Sequence, residues 1–215
     1  YAPFLTNHDM DRAMSQLGDE LEKAKLAATL LLTAPGVPFL YYGEEIGLLG
    51  KKPDEDIRRP MQWSATNHAG FTTGEPWRAP YPDFAEKNVA AQLADPNSLL
   101  AHYRRLIALR TQHVALRSGE FVKAKASAGT VLATMRVSPA QTVLVVINLG
   151  DEAVDEYTLT LEAGVLEAGV YAAESLWDKE MLLALTIDEA GAVKPYQPTT
   201  VLAPGETLIV ELVRQ

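Results

Sequence analysis

Three clusters along the 215-residue chain carry side chains suited to acid–base or electrostatic chemistry. Asn7-His8-Asp9 sets an imidazole and a carboxylate directly behind an apolar run, Phe4-Leu5-Thr6. The carboxyl end of a parallel strand is where α/β folds place their sites. The same tripeptide also fits a loop in which Asp9 caps a turn and His8 is merely exposed. Gly43-Glu44-Glu45 follows a second apolar run, Val37 to Tyr42, and reads either as another strand-end site or as a turn with two solvated carboxylates. Ile57-Arg58-Arg59-Pro60-Met61-Gln62-Trp63 is the third cluster, with a surface turn around one packed tryptophan as its alternative. No P-loop, glycine-rich dinucleotide turn, serine nucleophile elbow or zinc motif appears. His102 and His113 fall in or beside a helix without a His, Asp or Glu at metal-ligand spacing, and with His68 they are read as structural, so no metal site is expected in this segment. The weight falls on carboxylate chemistry.

The elements that must hold these clusters follow from periodicity. Asp19 with Glu22 forms a capping-box pattern that opens a helix through Leu21, Ala24, Ala28, Leu31 and Leu32, stopped by Ala34-Pro35-Gly36. Run, helix and run make a βαβ unit, whose two strands should be parallel. From Gly47 to Asn97 there is no regular period, yet Trp63, Phe71, Trp77, Tyr81 and Phe84 give the stretch an aromatic content that a disordered linker lacks. It is read as an ordered active-site or binding loop. Asp95-Pro96 then starts a second helix with the apolar face Leu99, Leu100, Tyr103, Leu106 and Ile107, running to about Thr111. Near Gly119 the pattern changes to short alternating runs: Phe121 to Ala126, Thr130 to Val137, Val143 to Leu149, Glu156 to Leu161, Leu182 to Ile187 and Thr207 to Val213. The expected class is therefore α/β over residues 1–118, followed by an all-β sandwich or barrel over 119–215.

Composition narrows the partners. Lys and Arg number 19 against 28 Asp and Glu, a net charge of −9, with 47% hydrophobic and 22% charged residues. These values describe a soluble globular chain and exclude a collagen-like repeat or coiled coil. An acidic chain without a basic stripe is a poor partner for nucleic acid. The longest apolar run, Leu26 to Ala34, is far shorter than the roughly 20 residues needed to cross a bilayer, so no membrane anchor is expected. Zero cysteines remove disulfides, thiolate metal sites and cysteine nucleophiles together and leave the redox compartment, and with it localisation, open. Tyr1 to Leu5 reads like the inside of a strand, which suggests a fragment.

Taken in order, the motifs resemble the α-amylase family of glycoside hydrolases. Phe4-Leu5-Thr6-Asn7-His8-Asp9 is similar to the family's motif at the end of barrel strand seven, and Gly36-Val37-Pro38-Phe39-Leu40-Tyr41-Tyr42-Gly43-Glu44-Glu45 to that at strand eight. Arg58-Arg59-Pro60-Met61-Gln62-Trp63 and Asn67 to Trp77 resemble a signature of the branch with oligo-1,6-glucosidases, other α-glucosidases, trehalose synthases and related bacterial α-amylases.

The resemblance implies the last two βα units of a TIM (β/α)8 barrel followed by an antiparallel β-sandwich C-terminal domain. It implies a retaining mechanism with two carboxyl groups about 5 Å apart, to which Asp9 adds a third that grips the sugar hydroxyls beside the reacting carbon. His8 would bond the same glucose, Arg58 would help hold the terminal glucose, and Arg12 would line the cleft. The implied substrate is an α-glucan or maltooligosaccharide with α-1,4 bonds. The alternatives are an exo-acting α-glucosidase or oligo-1,6-glucosidase, or a non-catalytic carbohydrate-binding module. No part of this chain matches the family's nucleophile, acid/base or calcium-binding insert. Those groups, and any calcium, are expected on an N-terminal part of the barrel, in the same or a separate chain, and these residues alone should be inactive.

Overall fold

The computed structural model describes residues 1–162, 164–193 and 195–215. Two compact units divide it, one of residues 1–32 and 36–108, the other of 33–35 and 109–215.

In the first unit the two apolar runs lie side by side in parallel. Phe4 bridges Phe39, and the amides of Val37 and Phe39 donate to Tyr1 O (3.2 Å) and Pro3 O (2.9 Å). The pairing is a single bridge with no flanking strand among the described residues, and Phe4, Val37 and Phe39 stay exposed. After the short helix α1 (Ala13–Gln16), α2 (Leu21–Thr33) buries Ala24, Ala28, Leu31 and Leu32 as its period requires. Asp19 does not cap it: the residue has a left-handed φ of 61°, and its carboxylate takes Lys87 Nζ at 2.6 Å. Gly36, at φ 93°, turns the chain where a Cβ would lie 2.7 Å from Tyr1 O.

The stretch after Gly47 is ordered and contains the short helices α3 (Asp54–Ile57) and α4 (Val89–Leu93). Buried Gln62 donates to Asp83 Oδ1 at 3.1 Å and to Lys87 O, and Gln62 O accepts from Val89 N, closing the loop on itself. Ile46, Leu48, Met61 and Leu100 form an apolar cluster under it, with Tyr81 and Val89 packed alongside. The next helix, α5 (Leu99–Gln112), begins three residues after Pro96 because Ser98 caps it, its Oγ accepting from Ala101 N at 3.1 Å. Its buried face is Leu99, Leu100, Tyr103, Leu106 and Leu109, whereas Ile107 is exposed.

The second unit, after α6 (Val114–Ser118), is antiparallel throughout: β1 (Glu120–Ala126), β2 (Val131–Ser138), β3 (Gln141–Asn148), β4 (Leu159–Thr160), β5 (Gly169–Ser175), β6 (Met181–Ile187) and β7 (Thr207–Arg214). The strand β5 escapes sequence reading because Gly169-Val170-Tyr171-Ala172-Ala173-Glu174-Ser175 is rich in residues that strands disfavour. Instead of two separate sheets there is one, ordered β4-β1-β2-β3-β7-β5-β6. Ala124 of β1 and Leu185 of β6 nevertheless line the same small interior hollow. Five strand spacings would hold them about 24 Å apart in a flat sheet, so this sheet is curled over one apolar face. That face carries Met135, Leu144, Val146, Tyr171, Ala173, Ile187 and Val210, all buried. Tyr157 and Leu159 are buried and Thr160 exposed, the alternation expected of that segment, although only Leu159–Thr160 pairs as a strand.

Candidate active site

The site grows from the end of the first apolar run. Beyond Thr6 the backbone turns: Asn7 Oδ1 accepts from Asp9 N at 2.9 Å and Asn7 O from Met10 N at 3.2 Å. This Asx turn sends the side chains of His8 and Asp9 outward, 66% and 62% exposed. Their own contact is His8 Nε2 to Asp9 Oδ2, 3.3 Å.

Arg58, 49 residues further on, reaches back to both. Its Nε donates to His8 O at 2.9 Å, and its Nη2 to Asp9 Oδ1 at 3.0 Å and to Asp54 Oδ2 at 2.8 Å. The fork geometry of guanidinium lets one side chain address a carbonyl and two carboxylates together. Asp54, which the motif reading passed over, also accepts from Lys52 Nζ at 2.7 Å, and that bond, with Arg58, holds its carboxyl below the usual range. An open, mainly apolar hollow lined by Phe4, Thr6, Asn7, His8, Phe39 and Tyr41 lies beside this group. An ion pair as exposed as Asp9–Arg58 is worth only about 0–1 kcal/mol, so hydroxyl groups of a polar ligand can replace it at little cost.

Arg12 differs from its expected place in the cleft. It is 1% exposed, with its guanidinium carbon 4.0 Å from the Tyr41 ring centroid and 4.4 Å from that of Tyr42. Its Nη1 donates to Tyr42 O, while Nε and Nη2 make no hydrogen bond among the described residues. Burial lowers its pKa, opposed by the electron-rich tyrosines. It therefore supports the tyrosines from beneath. The two tyrosines are fastened at their far ends, Tyr42 Oη donating to Arg59 O at 2.8 Å and Tyr41 Oη to Ile57 O at 3.4 Å.

Gly43-Glu44-Glu45 is not a turn of two solvated carboxylates. Gly43 adopts φ 84°, and a Cβ there would sit 2.8 Å from Leu48 Cδ2. The turn tucks Glu44 inward, 5% exposed, where Oε1 accepts from Thr6 N at 3.1 Å and from Thr6 Oγ1. Burial raises the Glu44 carboxyl, and the bonds from Thr6 act against that rise. Of the aromatic loop, Trp63, Phe71 and Trp77 are exposed and Tyr81 is packed. His102 bonds Thr29 Oγ1 (3.0 Å) and Lys25 O (3.1 Å), fastening α5 to α2, and burial draws its pKa down to about 4. Among the described residues, no group of three or more His, Asp or Glu is placed to hold a metal ion.

An exposed carboxylate, imidazole and guanidinium at the end of a parallel pair define a polar strand-end site of the kind α/β enzymes use. Known proteins make the class specific. The family model described as "Alpha amylase, catalytic domain" matches residues 1–119. An oligo-1,6-glucosidase of Halalkalibacterium halodurans is 34% identical over 67% of this chain and 33% of its own length. Alpha-amylase 3 of Dictyoglomus thermophilum is 37% identical over 69% of this chain and 30% of its own. Among solved structures, an isomaltulose synthase variant from Erwinia rhapontici NX5 in complex with D-glucose superposes with a TM-score of 0.73 at 28% identity, covering 99% of this chain and 43% of that one. The chain belongs to the α-amylase family, and it spans about a third of the length of these curated relatives, which are glycoside hydrolases.

Proposed function

We propose that this chain is the C-terminal portion of a retaining α-glucan hydrolase of the α-amylase type, acting on α-1,4-linked glucans or maltooligosaccharides. In this reading residues 1–118 supply the last two βα units of a (β/α)8 barrel and 119–215 its C-terminal β domain. Asp9 is the carboxylate that stabilises the transition state through hydrogen bonds, without forming a covalent bond to the sugar. The observation that carries the reading is the Asp9–His8–Arg58 group, solvent-facing at the end of a parallel pair and joined by exposed polar contacts weak enough for a sugar to displace. An ionised carboxylate forms charge-assisted bonds to sugar hydroxyls. Bonds to the 2-OH that tighten as the anomeric carbon gains positive charge lower the barrier. His8 bonds the same glucose and Arg58 orients it. Arg12 acts through Tyr41 and Tyr42. No cofactor is assigned to this segment; nucleophile, acid/base and any calcium belong to the barrel units that precede it.

The test mixes the chain with a fragment holding the six preceding barrel units and follows a chromogenic α-maltoside. The chain alone is expected to be inert, the mixture active, and the mixture carrying Asp9→Asn inactive. Turnover by the chain alone, or turnover indifferent to Asp9, overturns the proposal. The match to an oligo-1,6-glucosidase supports a second reading, an exo-acting enzyme. Preference for an aryl α-glucoside or isomaltose over starch would select it.

A further inference from the structure

Resting on the reading of Asp9 above, we infer that Glu44 is a positioning residue for the reaction: its buried carboxylate clamps Thr6 and thereby sets where the Asn7-His8-Asp9 turn leaves the strand. The parallel pairing joins the runs only as far as Phe4 and Phe39. Beyond it, the backbone amide of Thr6 is taken not by another strand but by Glu44 Oε1 at 3.1 Å, which also accepts from Thr6 Oγ1. Both partners are buried, Thr6 at 3% and Glu44 at 5% exposure. A carboxylate withdrawn from water is costly unless hydrogen bonds hold it, so the tucked conformation and the Thr6 contacts stabilise one another. Two more anchors act downstream, Asn7 Oδ1 on Asp9 N and Arg58 on His8 O and Asp9 Oδ1, but both lie at exposed groups. The Glu44 clamp is the buried one, and it acts on Thr6, three residues before Asp9. Arg12, packed against the rings of Tyr41 and Tyr42 on the same run, supplies a nearby buried positive charge.

A displacement of about 1 Å in a catalytic group costs on the order of 10²-fold in rate. An interaction that strengthens only in the transition state shows in kcat rather than KM. In the complete enzyme that carries this chain, Glu44→Ala is therefore expected to lower kcat on the aryl α-maltoside by about 10- to 100-fold with KM changed less than about threefold. Glu44→Gln, whose amide oxygen accepts the same two bonds, should restore kcat to within about threefold of the parent. Thr6→Val keeps the amide donor and the shape but loses the hydroxyl bond, so it should fall between the two, and it decides the matter if Glu44→Ala does not fold. The inference is overturned if Glu44→Ala or a folded Thr6→Val keeps full kcat, or if Glu44→Gln is as impaired as Glu44→Ala. Asp9→Asn, run in parallel, separates the two levels. Activity indifferent to Asp9 sinks the reading of the site, whereas loss there with no effect at Glu44 or Thr6 sinks only the clamp.

Discussion

Among the described residues two arginines are fully buried, one in each compact unit, and their surroundings differ. Arg136, on β2, is 1% exposed and bonds from every nitrogen: Nε and Nη2 to Gly119 O at 3.3 and 2.9 Å, Nη1 to Thr33 O at 2.9 Å. Arg12 is equally buried, yet only Nη1 finds an acceptor among the described residues. Apolar groups repeat the contrast. The curled sheet seals Met135, Val146, Ala173 and Val210 at 0% exposure, whereas Phe4, Val37, Phe39 and Leu40 of the parallel pair remain open. Among the described residues, the buried side-chain polar atoms without a hydrogen-bond partner lie in the first unit, while the second gathers its buried apolar residues into one cluster on the sheet. The first holds its polar strand-end site beside exposed apolar side chains, in a chain that spans about a third of the length of its relatives.

The sharpest way to break this contrast is to separate activity from stability. Asp9→Asn in the complete enzyme should reduce kcat by about 10²- to 10³-fold while leaving the thermal midpoint within a degree or two, because the side chain is exposed and its ion pairs are weak. A large drop in melting temperature would show Asp9 to be structural. In the second unit the expectation reverses. Leu144→Ala, at a 2% exposed position in the core, should destabilise residues 109–215 by about 2–5 kcal/mol in urea titration. A cooperative urea transition of 109–215 expressed alone would support the self-sufficiency of that unit, and a non-cooperative one would remove it.

A smaller effect is expected at Asn148, which is 0% exposed, donates from Nδ2 to Glu152 O, Leu202 O and Ala203 O, and accepts Gly150 N at 3.0 Å. Asn148→Ala should cost about 1–3 kcal/mol by stranding those carbonyls, read as a shift in urea midpoint. The smallest effect belongs to His102. Its folded pKa of about 4 lies below the ordinary 6.5, so between these values the unfolded chain binds more protons and stability falls as pH is lowered. The loss begins near pH 6.5 and is complete near pH 4. His102→Gln should flatten the difference between chemical-denaturation midpoints at pH 7 and pH 5, and an unchanged difference would show that other groups set it.

Much of this was legible in the chain itself. The helices through Leu31 and Tyr103 follow apolar spacing, and the parallel pairing of Phe4 with Phe39 follows from two apolar runs flanking a helix. Arg58 bonds His8 O and Asp9 Oδ1, so the first and third polar clusters of the sequence lie together. Other features were illegible for definite reasons. Asp19 looks like a helix cap, but Lys87, 68 residues away, takes its carboxylate. Ser98, not Pro96, starts α5, because a hydroxyl that accepts the Ala101 amide outweighs a proline preference. The strand β5 pairs with β7 and β6 on both sides despite its weak propensity, since neighbours decide for a central strand.

The motifs carried the resemblance to the family, and the order and spacing of residues determined most element types, because hydrophobic period and turn chemistry act over a few neighbouring residues. Tertiary structure alone decided which polar side chains lost their water. Glu44 is buried on Thr6 and Arg12 beneath two tyrosines, while Asp9 stays wet, although all three look alike as charged residues in loops. Desolvation depends on everything that packs around a group, and for Arg12 and Glu44 those neighbours lie 29 to 38 residues away along the chain.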